Sequence, residues 1–385
     1  MNAVSSRAVI IIGGGIGGLA AAAALQRAGI ACALYERADA LREVGSGLVL
    51  WPNAFRALDY LGLSEAIRAA GESFTETAIR TWRGDYLVGP FSFGGAQTLI
   101  HRAALLDILL QAVDSNCIHL NCCCVGYRQD AQSATALFAD GQEATGAAII
   151  CADGIHSVLR TQLAHDSPMR YAGYAVWRGI ADFTLDQTIG TETWGSGARF
   201  GVHAAAHEQV YWYATNSCAA DAPCHIEGNQ AELLHRFRGW HEPIEAILAA
   251  TDDNHIIRTD IYDRAPLESW CDGRVALLGD AAHATTPNLG QGACLALEDG
   301  VVLSKRLAQG FDNDPVDIPT ALHAYETQRI ARTTVIQRRS RRLGQISQLR
   351  HPLLCGARNM VAYRIPKAIL ERQMRWLFEP DLDME

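Results

Sequence analysis

A glycine-rich turn near the start of the chain constrains its fold more than any other feature. The apolar run AVIII is rich in β-branched residues, as buried parallel strands are, and it leads directly into GGGIGG. This turn satisfies the pattern G-x-G-x-x-G with Gly13, Gly15 and Gly18. A helix-forming run, LAAAAALQRAG, follows, and ACALYE then forms a second strand that ends in Glu36. The order of strand, turn, helix and strand predicts a parallel α/β unit over residues 8–36.

Each position of this turn has a physical task in holding a nucleotide. Gly13 permits the tight turn, Gly15 lets the backbone approach a pyrophosphate, and Gly18 lets the helix pack closely on the strand. The helix N-terminus directs free N–H groups and the positive end of its dipole at the phosphates. Glu36, 21 residues beyond Gly15, can accept the two hydroxyls of an adenosine ribose. We therefore predict binding of FAD or NAD rather than NADP, and the turn alone leaves the first two open.

A second segment, IICADGIHSVLR, repeats the arrangement of strand, glycine-containing loop and helix. The strand ends at Asp153-Gly154, and the helix begins with Ser157 and Arg160 in its first turns. Taken alone, this pattern is typical of a β-turn followed by an N-capped helix.

The third segment, RVALLGDAAHATTPNLGQGACLALEDG, combines all of these features in one loop. Its strand delivers Asp280, Pro287 stiffens the loop, and Gly290, Gln291 and Gly292 begin the helix that follows. The helix start directs N–H groups and a positive dipole end at its ligand. That field matches an anionic reduced isoalloxazine ring, and Asp280 can hold the hydroxyls of a ribityl chain.

Together these segments resemble the group A flavoprotein monooxygenases, the single-component FAD-dependent aromatic hydroxylases with the para-hydroxybenzoate hydroxylase fold. The motifs follow the family's order and spacing over nearly the whole chain. GSGLVLWPNAFRALDYLG and IHRAALLDILL are similar to two further family segments, the second led by Arg102. One departure is EDG in place of the more usual EDA, and Gly300 inside the helix is expected to cost a little stability.

The resemblance implies an α/β fold in which an antiparallel-sheet substrate domain interrupts a Rossmann-like, GR2-type FAD-binding domain. We expect the FAD-binding domain at 1–70, 98–165 and 266–350, because these ranges hold the motifs. The substrate domain is expected at 71–97 and 166–265, where apolar and polar residues alternate as in antiparallel strands. A C-terminal helical segment, 351–385, is expected to pack on the FAD-binding domain.

The resemblance also implies which residues hold FAD. Gly13, Gly15 and Gly18 meet the pyrophosphate, Glu36 meets the ribose, and Asp153 is linked to both FAD and the passing nicotinamide. The remaining implied contacts are Arg37, Arg102, Asp280, Pro287, Gly290, Gln291 and Gly292.

The implied reaction is hydroxylation of a small aromatic or heteroaromatic substrate. NADH or NADPH, which the sequence does not distinguish, reduces FAD and leaves, and O₂ then forms a flavin C4a-hydroperoxide that transfers one oxygen. Two alternatives are open: a flavin-dependent epoxidase or N-hydroxylase, and a FAD-binding reductase that does not oxygenate its substrate. A halogenase is disfavoured because its tryptophan-rich signature and its lysine are absent.

Candidate pocket residues come from the predicted antiparallel sheet and the third segment. Arg178 can steer a carboxylate or phenolate, or it can pair with a structural acid on the sheet. His283 is expected to be a structural contact of its loop, and no general base is assigned. The other candidates for the pocket wall are Trp177, Trp212, Pro287, Trp51, Arg80, Trp82, Arg199, Phe200 and Tyr213.

Composition and charge exclude several classes of partner. The chain has 385 residues, 49% of them hydrophobic, and a net charge of −9 at pH 7, which gives no general attraction to nucleic acid or anionic membranes. Eleven scattered cysteines without a CxxC pair predict buried free thiols in a reducing cytoplasm. We expect a cytoplasmic monomer or homodimer without a membrane anchor, because glycines and QRAG interrupt the apolar N-terminal stretch.

Two local patterns suggest sites that we do not favour. His203 and His207 are four residues apart, but their segment is predicted to form a hairpin rather than a helix, so no metal site is expected. The basic stretch 329–350 is interpreted as the solvated face of a late helix, with a phosphate-binding or membrane-touching role as the alternative.

Overall fold

A computed structural model describes residues 7–41, 47–164, 168–185, 189–206, 208–222, 228–312, 316–379 and 382. The strands are β1 (Val9–Ile12), β2 (Cys32–Tyr35), β3 (Gly47–Leu50), β4 (Glu72–Thr81), β5 (Tyr86–His101), β6 (Ile118–His119), β7 (Cys124–Gln129), β8 (Ala134–Phe138), β9 (Glu143–Gly146), β10 (Ala148–Cys151), β11 (Arg170–Asp182), β12 (Gly190–Trp194), β13 (Ala198–Ala205), β14 (Gln209–Ser217), β15 (Ile257–Asp263), β16 (Cys271–Asp272) and β17 (Val275–Leu277). The helices are α1 (Ile16–Arg27), α2 (Pro52–Leu61), α3 (Ser64–Ala70), α4 (Arg102–Gln111), α5 (Val158–Ala164), α6 (Asn229–Arg236), α7 (Ile244–Ala249), α8 (Asp280–His283), α9 (Gly292–Asp312), α10 (Ile318–Ser347), α11 (Pro352–Arg364) and α12 (Lys367–Phe378).

A six-stranded sheet in the order β16-β17-β10-β1-β2-β6 brings the three glycine-containing segments together. Strands β17, β10, β1, β2 and β6 are parallel, and Ile11 of β1 lies between Leu34 of β2 and Ile150 of β10. Helices cover such sheets on both faces, which explains why the strand residues are continuously apolar. The carboxyl ends of β1, β10 and β17 lie at one edge, so Gly13, Asp153 and Asp280 follow neighbouring strands. The predicted α/β fold is confirmed.

Helices α1 and α9 pack against each other over this sheet, and two glycines set how closely they approach. A Cβ at Gly18 would lie 1.9 Å from the carbonyl oxygen of Gly13, so α1 can approach the end of β1 only without a side chain there. A Cβ at Gly300 of α9 would lie 2.8 Å from the backbone nitrogen of Ala21. The expectation that Gly300 merely costs stability is therefore wrong, because it permits the contact between the two helices.

An eight-stranded sheet in the order β15-β11-β14-β13-β12-β4-β5-β3 forms the second layer. Its strands are antiparallel except for the parallel pair β12 and β4. The predicted hairpin is confirmed, because β13 and β14 pair from Ala198↔Asn216 to Ala205↔Gln209. Residue 203 is therefore in a strand, and 207 lies outside the described residues.

The order of strands in the two sheets shows that the chain crosses between the two layers more than once. The proposed domain limits remain a prediction. Strand β3 and the end of β5 belong to the large sheet, although both were assigned to the FAD-binding ranges. A three-stranded sheet, β7-β8-β9, joins the side of the first layer. Among the described residues, no helix is both long and apolar enough to cross a bilayer.

The basic stretch lies on α10, but its cations are not all solvated. Asp317 caps this helix by accepting a hydrogen bond from the backbone N–H of Thr320 at 3.1 Å. Arg329 is fully buried, whereas Arg338 and Arg342 are exposed. The interpretation of 329–350 as a solvated face is therefore wrong at Arg329 and at Arg341, which pairs with Asp263 at 2.6 Å, and it holds at Arg338 and Arg342.

The C-terminal helix contacts both layers, and its assignment to the FAD-binding domain stays a prediction. Helix α12 lies mainly along β5 of the large sheet, and Lys367 donates to the carbonyl of Pro90 at 2.7 Å. Its last turn reaches the first layer, where Phe378 stacks on Trp51 with ring centroids 5.0 Å apart.

Ten cysteines of the described chain are free thiols, as predicted, but only Cys151 and Cys294 of these are fully buried.

Candidate active site

A cavity of about 1630 Å³ lies where the two layers meet. The ends of β1, β2, β10 and β17 form its first side, and the face of the large sheet forms its second side. Helices α11 and α12 form a third side. Because ordinary ligand pockets span about 300–1,000 Å³, this cavity has room for more than one small molecule.

The first side of the cavity begins with the turn before α1. Gly13 and Gly15 line the cavity, and the space beside Gly15 contains no atom that a Cβ would meet within 4 Å. Glu36 is oriented by the backbone, because its Oε2 accepts from Gly14 N at 2.7 Å and its Oε1 accepts from Ala38 N at 2.9 Å. Its carboxylate thus lies at the mouth of the turn with acceptor sites left for hydroxyls. Gly18 lies behind the turn and does not line the cavity.

Two carboxyl groups extend this side along the edge of the sheet. Asp153 and Asp280 both line the cavity, and burial by the surrounding protein raises the pKa of each. Asp280 has accessible surface because it projects into the cavity. The charges of His283 and Arg102 oppose the increase in the pKa of Asp280. Burial lowers the pKa of Arg102, which also lines the cavity.

The loop after β17 closes this side. Pro287 begins a short 3₁₀ turn that ends at Gly290, and helix α9 begins at Gly292. All three line the cavity, as does Gln291, whose Oε1 accepts from Asn53 Nδ2 at 2.9 Å. The N-terminus of α9 is therefore directed at the cavity, with its free N–H groups and positive dipole end.

A buried group of ion pairs holds this loop in place. Arg329 of α10 donates to Asp299 at 2.7 Å and also to Glu298, and all three side chains are buried. Asp299 in turn accepts from His283 Nε2 at 2.6 Å, and Glu298 accepts from Asn53 Nδ2 at 2.6 Å. We call Glu298, Asp299, Arg329, His283 and Asn53 the buried ion cluster.

The charges of the buried ion cluster compensate one another. Burial alone would raise the pKa of Asp299, but His283 and Arg329 lower it to about 2. Burial opposes the charge of Arg329 as well, yet Glu298 and Asp299 raise its pKa above the ordinary value. The cluster links the start of α9 to α8 and α2, so it fixes the loop from behind without facing the cavity itself.

The residues on the first side of the cavity are chemically suited to bind a flavin dinucleotide. Asp153 Oδ1 and Gln291 Nε2 are buried polar atoms without a hydrogen-bond partner among the described residues. No atom lies within 4 Å of where a Cβ would stand at Gly15 or Gly292. Unpaired buried polar groups are costly, so a ligand that pairs them is the expected explanation. The edge thus offers acceptors for hydroxyls and backbone donors for phosphates and an anionic ring.

The second side of the cavity carries a compact polar cluster on the large sheet. Glu192 of β12 accepts hydrogen bonds from the hydroxyl of Tyr213, the indole N–H of Trp194 and the guanidinium of Arg199 at 3.3 Å. Burial alone would lower the pKa of Arg199, but Glu192, Tyr174 and Tyr213 raise it above the ordinary value. Burial also raises the pKa of Tyr213 well above its ordinary value, so the hydroxyl stays a neutral donor. We call Glu192, Arg199 and Tyr213 the sheet cluster.

Arg199 connects the sheet cluster to the first side of the cavity. Its NH2 donates to Asn288 Oδ1 at 2.7 Å, and Asn288 lies in the 3₁₀ turn that precedes α9. Tyr174 donates to the same oxygen at 3.2 Å. The position of the sheet cluster is therefore coupled to the loop of 287–292.

Several predicted pocket residues lie elsewhere. Trp177 and Trp212 do not line the cavity, because each is buried in the core behind the sheet and donates its indole N–H there, to Asn229 and Thr251 respectively. The prediction that they form the pocket wall is wrong, since alternation along the strands turns them to the opposite face. The same correction applies to Phe200, which stacks on Trp212. Arg80 and Trp82 also do not line the cavity: Arg80 donates to Tyr86, and Trp82 lies after β4 and is 42% exposed.

The other predicted residues line the cavity, and three contributors were missed. The cavity includes Trp51, Arg178, Arg199, Tyr213 and all the implied cofactor contacts except Gly18. Glu192 and Asn288 were not recognised, because no local motif marks an acid on a strand or an amide in a loop. Arg329 was placed on a solvated face, although the acidic pair in LALEDG, which stands between two apolar runs, signalled a buried cation nearby.

Comparisons with known proteins agree with this geometry. A family model described as FAD binding domain matches residues 6–340. Aurachin C monooxygenase/isomerase from Stigmatella aurantiaca is 40% identical over 358 residues, which cover 91% of this chain and 92% of that protein. The FAD-dependent urate hydroxylase of Klebsiella pneumoniae is 33% identical over 336 residues, covering 84% of this chain and 86% of that protein. The chain belongs to the group A FAD-dependent aromatic hydroxylases.

Solved structures place this hydroxylase in the same fold. HpxO from Klebsiella pneumoniae, complexed with FAD and uric acid, superposes with a TM-score of 0.88 at 30% sequence identity, covering 97% of each chain. A salicylate hydroxylase substrate complex gives a TM-score of 0.82 at 27% identity, covering 98% of this chain and 96% of that one. FAD is therefore the cofactor of this hydroxylase, and the choice between FAD and NAD that the first turn left open is resolved.

Proposed function

We propose that this hydroxylase consumes NADH or NADPH and O₂ to add one oxygen atom to an aromatic or heteroaromatic ring. The observation that carries the proposal is the cavity itself, which joins the glycine turn, Asp280 and the start of α9 to the sheet cluster. A ring placed between them lies against the flavin-binding loop on one side and polar side chains on the other. The names of the relatives, which include urate hydroxylase and 3-amino-4-hydroxybenzoate 2-monooxygenase, support this class of substrate.

The first side of the cavity would hold FAD through named groups. Glu36 would accept the adenosine ribose hydroxyls, the turn of Gly13 and Gly15 would meet the pyrophosphate, and Asp280 with Arg102 would contact the ribityl and phosphate region. The start of α9 would face the ring, where its dipole favours the anionic reduced form. When bound, FAD supplies acceptance of hydride from the nicotinamide and activation of O₂.

The sheet cluster would orient the substrate and hold its acidic proton. An ionised carboxylate offers about four lone-pair sites, and the described donors to Glu192 are Tyr213, Trp194 and Arg199. One acceptor site therefore remains for an N–H or O–H group of the ring. When the carboxylate accepts this hydrogen bond, electron density shifts from the N–H or O–H group into the ring. The ring carbon atoms become more electron-rich, as oxygen addition requires. Arg199 and Tyr213 keep the carboxylate in place during this step.

The decisive experiment follows reduced nicotinamide and oxygen together. The purified FAD-loaded protein is supplied with NADH or NADPH and a panel of phenols, hydroxybenzoates, purines and hydroxyquinolines under ¹⁸O₂. We expect one ring class to stimulate nicotinamide oxidation and to yield a product that contains a single ¹⁸O atom. Nicotinamide oxidation that yields an organic product reduced by two electrons and free of ¹⁸O would instead identify a reductase.

The position of the added oxygen in the product separates ring hydroxylation from the two alternative oxygenations, N-hydroxylation and epoxidation. Carbon hydroxylation, N-hydroxylation and epoxidation each add the same mass, so the product is assigned by nuclear magnetic resonance. Oxygen on a ring carbon supports the proposal. Oxygen on nitrogen or across a double bond would replace it with an N-hydroxylase or an epoxidase.

A further inference from the structure

The third side of the cavity is chemically unlike the other two. Its wall comes from the end of α10 and from α11 and α12, and the side chains that line it are apolar, among them Leu343, Ile346, Leu354, Val361, Ile365 and Met374. The sheet faces this wall with Ile79, Val88 and Phe91. These residues line one end of the cavity, where the two helices face strands β4 and β5, and we call this end the apolar channel.

The charged groups near the apolar channel do not make it polar. Helix α11, with the sequence PLLCGARNMVAYR, contains no acidic residue. Arg358 lines the cavity, but its guanidinium donates to the carbonyls of Ser347 at 2.9 Å and Gly195 at 3.0 Å and lies over the ring of Trp194. Its donors are thus directed at the protein, and the channel offers a ligand hydrocarbon surface.

The channel also opens to the outside through an apolar rim. Leu354 is 52% exposed and Val361 is 60% exposed, although both line the cavity. A soluble protein rarely leaves a group of large apolar side chains in water unless they bind something. A small polar substrate gains nothing from such an entrance, whereas a hydrocarbon chain does.

We infer that the substrate carries a long hydrocarbon tail on its aromatic head, and that the tail lies in the apolar channel while the head meets the sheet cluster. This inference rests on the proposed function, because it names the substrate class of the same site. The continuity of the channel with the cavity identifies the tail as the occupant. Leu353 and Met360 of α11 are exposed apolar residues that do not line the cavity, so they are not part of the channel and serve to test for a separate docking face.

The test compares binding across a series that differs only in tail length. The probes are 4-hydroxyquinolines with methyl, propyl, pentyl, heptyl and nonyl substituents at C2, titrated into the FAD-loaded protein without nicotinamide. We expect Kd to fall roughly two- to fourfold for each added methylene until the channel is filled, and then to level off. A Kd that is independent of tail length would overturn the inference.

Two pairs of neighbouring residues on α11 supply matched variants. Leu354→Glu and Val361→Glu place a carboxylate in the channel, whereas Leu353→Glu and Met360→Glu place one beside it, at residues that are 77% and 54% exposed and do not line the cavity. The first pair should weaken binding of the nonyl probe at least tenfold and leave the methyl probe unchanged. The second pair should alter neither.

The outcomes also separate this inference from the proposed function. Dependence on tail length without any oxygenated product leaves the apolar channel intact and removes the proposed reaction. Turnover of tail-free rings with no dependence on tail length does the reverse. If all four glutamate variants act alike, and act by changing the oligomeric state or binding to phosphatidylcholine vesicles, the α11 surface is a docking face and the inference is wrong.

Discussion

The two ends of the cavity keep their shape by different means. At the flavin end, backbone groups and charged side chains face the ligand, and the buried ion cluster fixes the loop from behind. At the channel end, α11 presents apolar side chains that are half exposed and has few polar bonds to the sheet. A cofactor of constant structure is matched by a rigid and polar site, and a hydrocarbon chain is matched by shape alone. Substitutions in the two regions should therefore differ in both size and sign.

Removal of the central cation of the ion cluster should have the largest effect. Arg329→Met leaves Asp299 buried without its guanidinium partner and leaves Glu298 paired only with Arg332. Removal of one partner from comparable buried pairs costs about 3–5 kcal/mol. We expect the free energy of unfolding in urea to fall by this amount, with loss of bound FAD on gel filtration. Arg342→Met, at an exposed position on the same helix, is the control and should change stability by less than about 0.5 kcal/mol. Equal losses in the two variants would contradict the structural role of the cluster.

Substitution in the sheet cluster should impair turnover more than stability. Glu192→Gln keeps the size of the side chain but removes the charge that accepts the ring proton, so kcat/KM should fall by roughly 10²–10³. The loss should be confined to substrates with a free N–H or O–H, and N-methylated or O-methylated analogues should show no difference between the variant and the wild type. Glu143→Gln, an exposed acid of β9, serves as the control. A loss of equal size with every substrate would indicate that Glu192 only supports the fold.

The contrast between the two ends also explains what the sequence could predict. The flavin end follows from short motifs, because Gly13 and Gly15, Glu36 and Asp280 lie at fixed distances from strand ends that a parallel sheet brings together. The fold class follows for the same reason. These signals are local, and the residues that produce them are close in the chain.

On the large sheet, whether a residue lines the cavity depends on which face of its strand it occupies. The sequence alone could not assign that face. Arg178 and Trp177 are adjacent on β11, so one lines the cavity and the other is buried behind the sheet. Aromatic composition favoured the tryptophans, whereas strand register placed Glu192 and Tyr213 together across β12, β13 and β14. Such pairing joins distant segments, and no single motif records it.

The pH dependence of stability should separate the large-sheet side of the cavity from the flavin end. Burial lowers the pKa of His203 on β13 to about 4, below the ordinary value of 6.5, so the unfolded chain binds its proton first as the pH falls. Protonation of His203 costs no stability above pH 6.5, and the free energy of unfolding should fall by about 3 kcal/mol between pH 6.5 and 4. Asp299 of the ion cluster contributes above its ordinary pKa of 3.8 and loses this only as the pH falls towards 2.

Urea unfolding of the wild type and of His203→Gln at a series of pH values checks this separation. The slope between pH 6.5 and 4 should be smaller in the variant, because glutamine does not titrate. Both proteins should retain the additional loss below pH 3.8 that belongs to Asp299. An unchanged slope in the variant would show that other groups control stability in the higher range.

Two helical glycines give the comparison with the smallest expected effect. Substitution by alanine should lower the free energy of unfolding at the flavin end and raise it at the channel end. At Gly300 a methyl group meets the backbone of Ala20 and Ala21 at 2.9 and 2.8 Å, and backbone cannot move aside as a side chain can. Gly300→Ala should therefore lower the free energy of unfolding by about 1–3 kcal/mol, the cost of overpacking. At Gly356 of α11 no atom lies within 4 Å of the new methyl, so Gly356→Ala should raise it by about 0.5–1 kcal/mol through helix propensity. A stabilising alanine at both positions would mean that α1 and α9 separate easily, and the flavin end would then be no more rigid than the channel end.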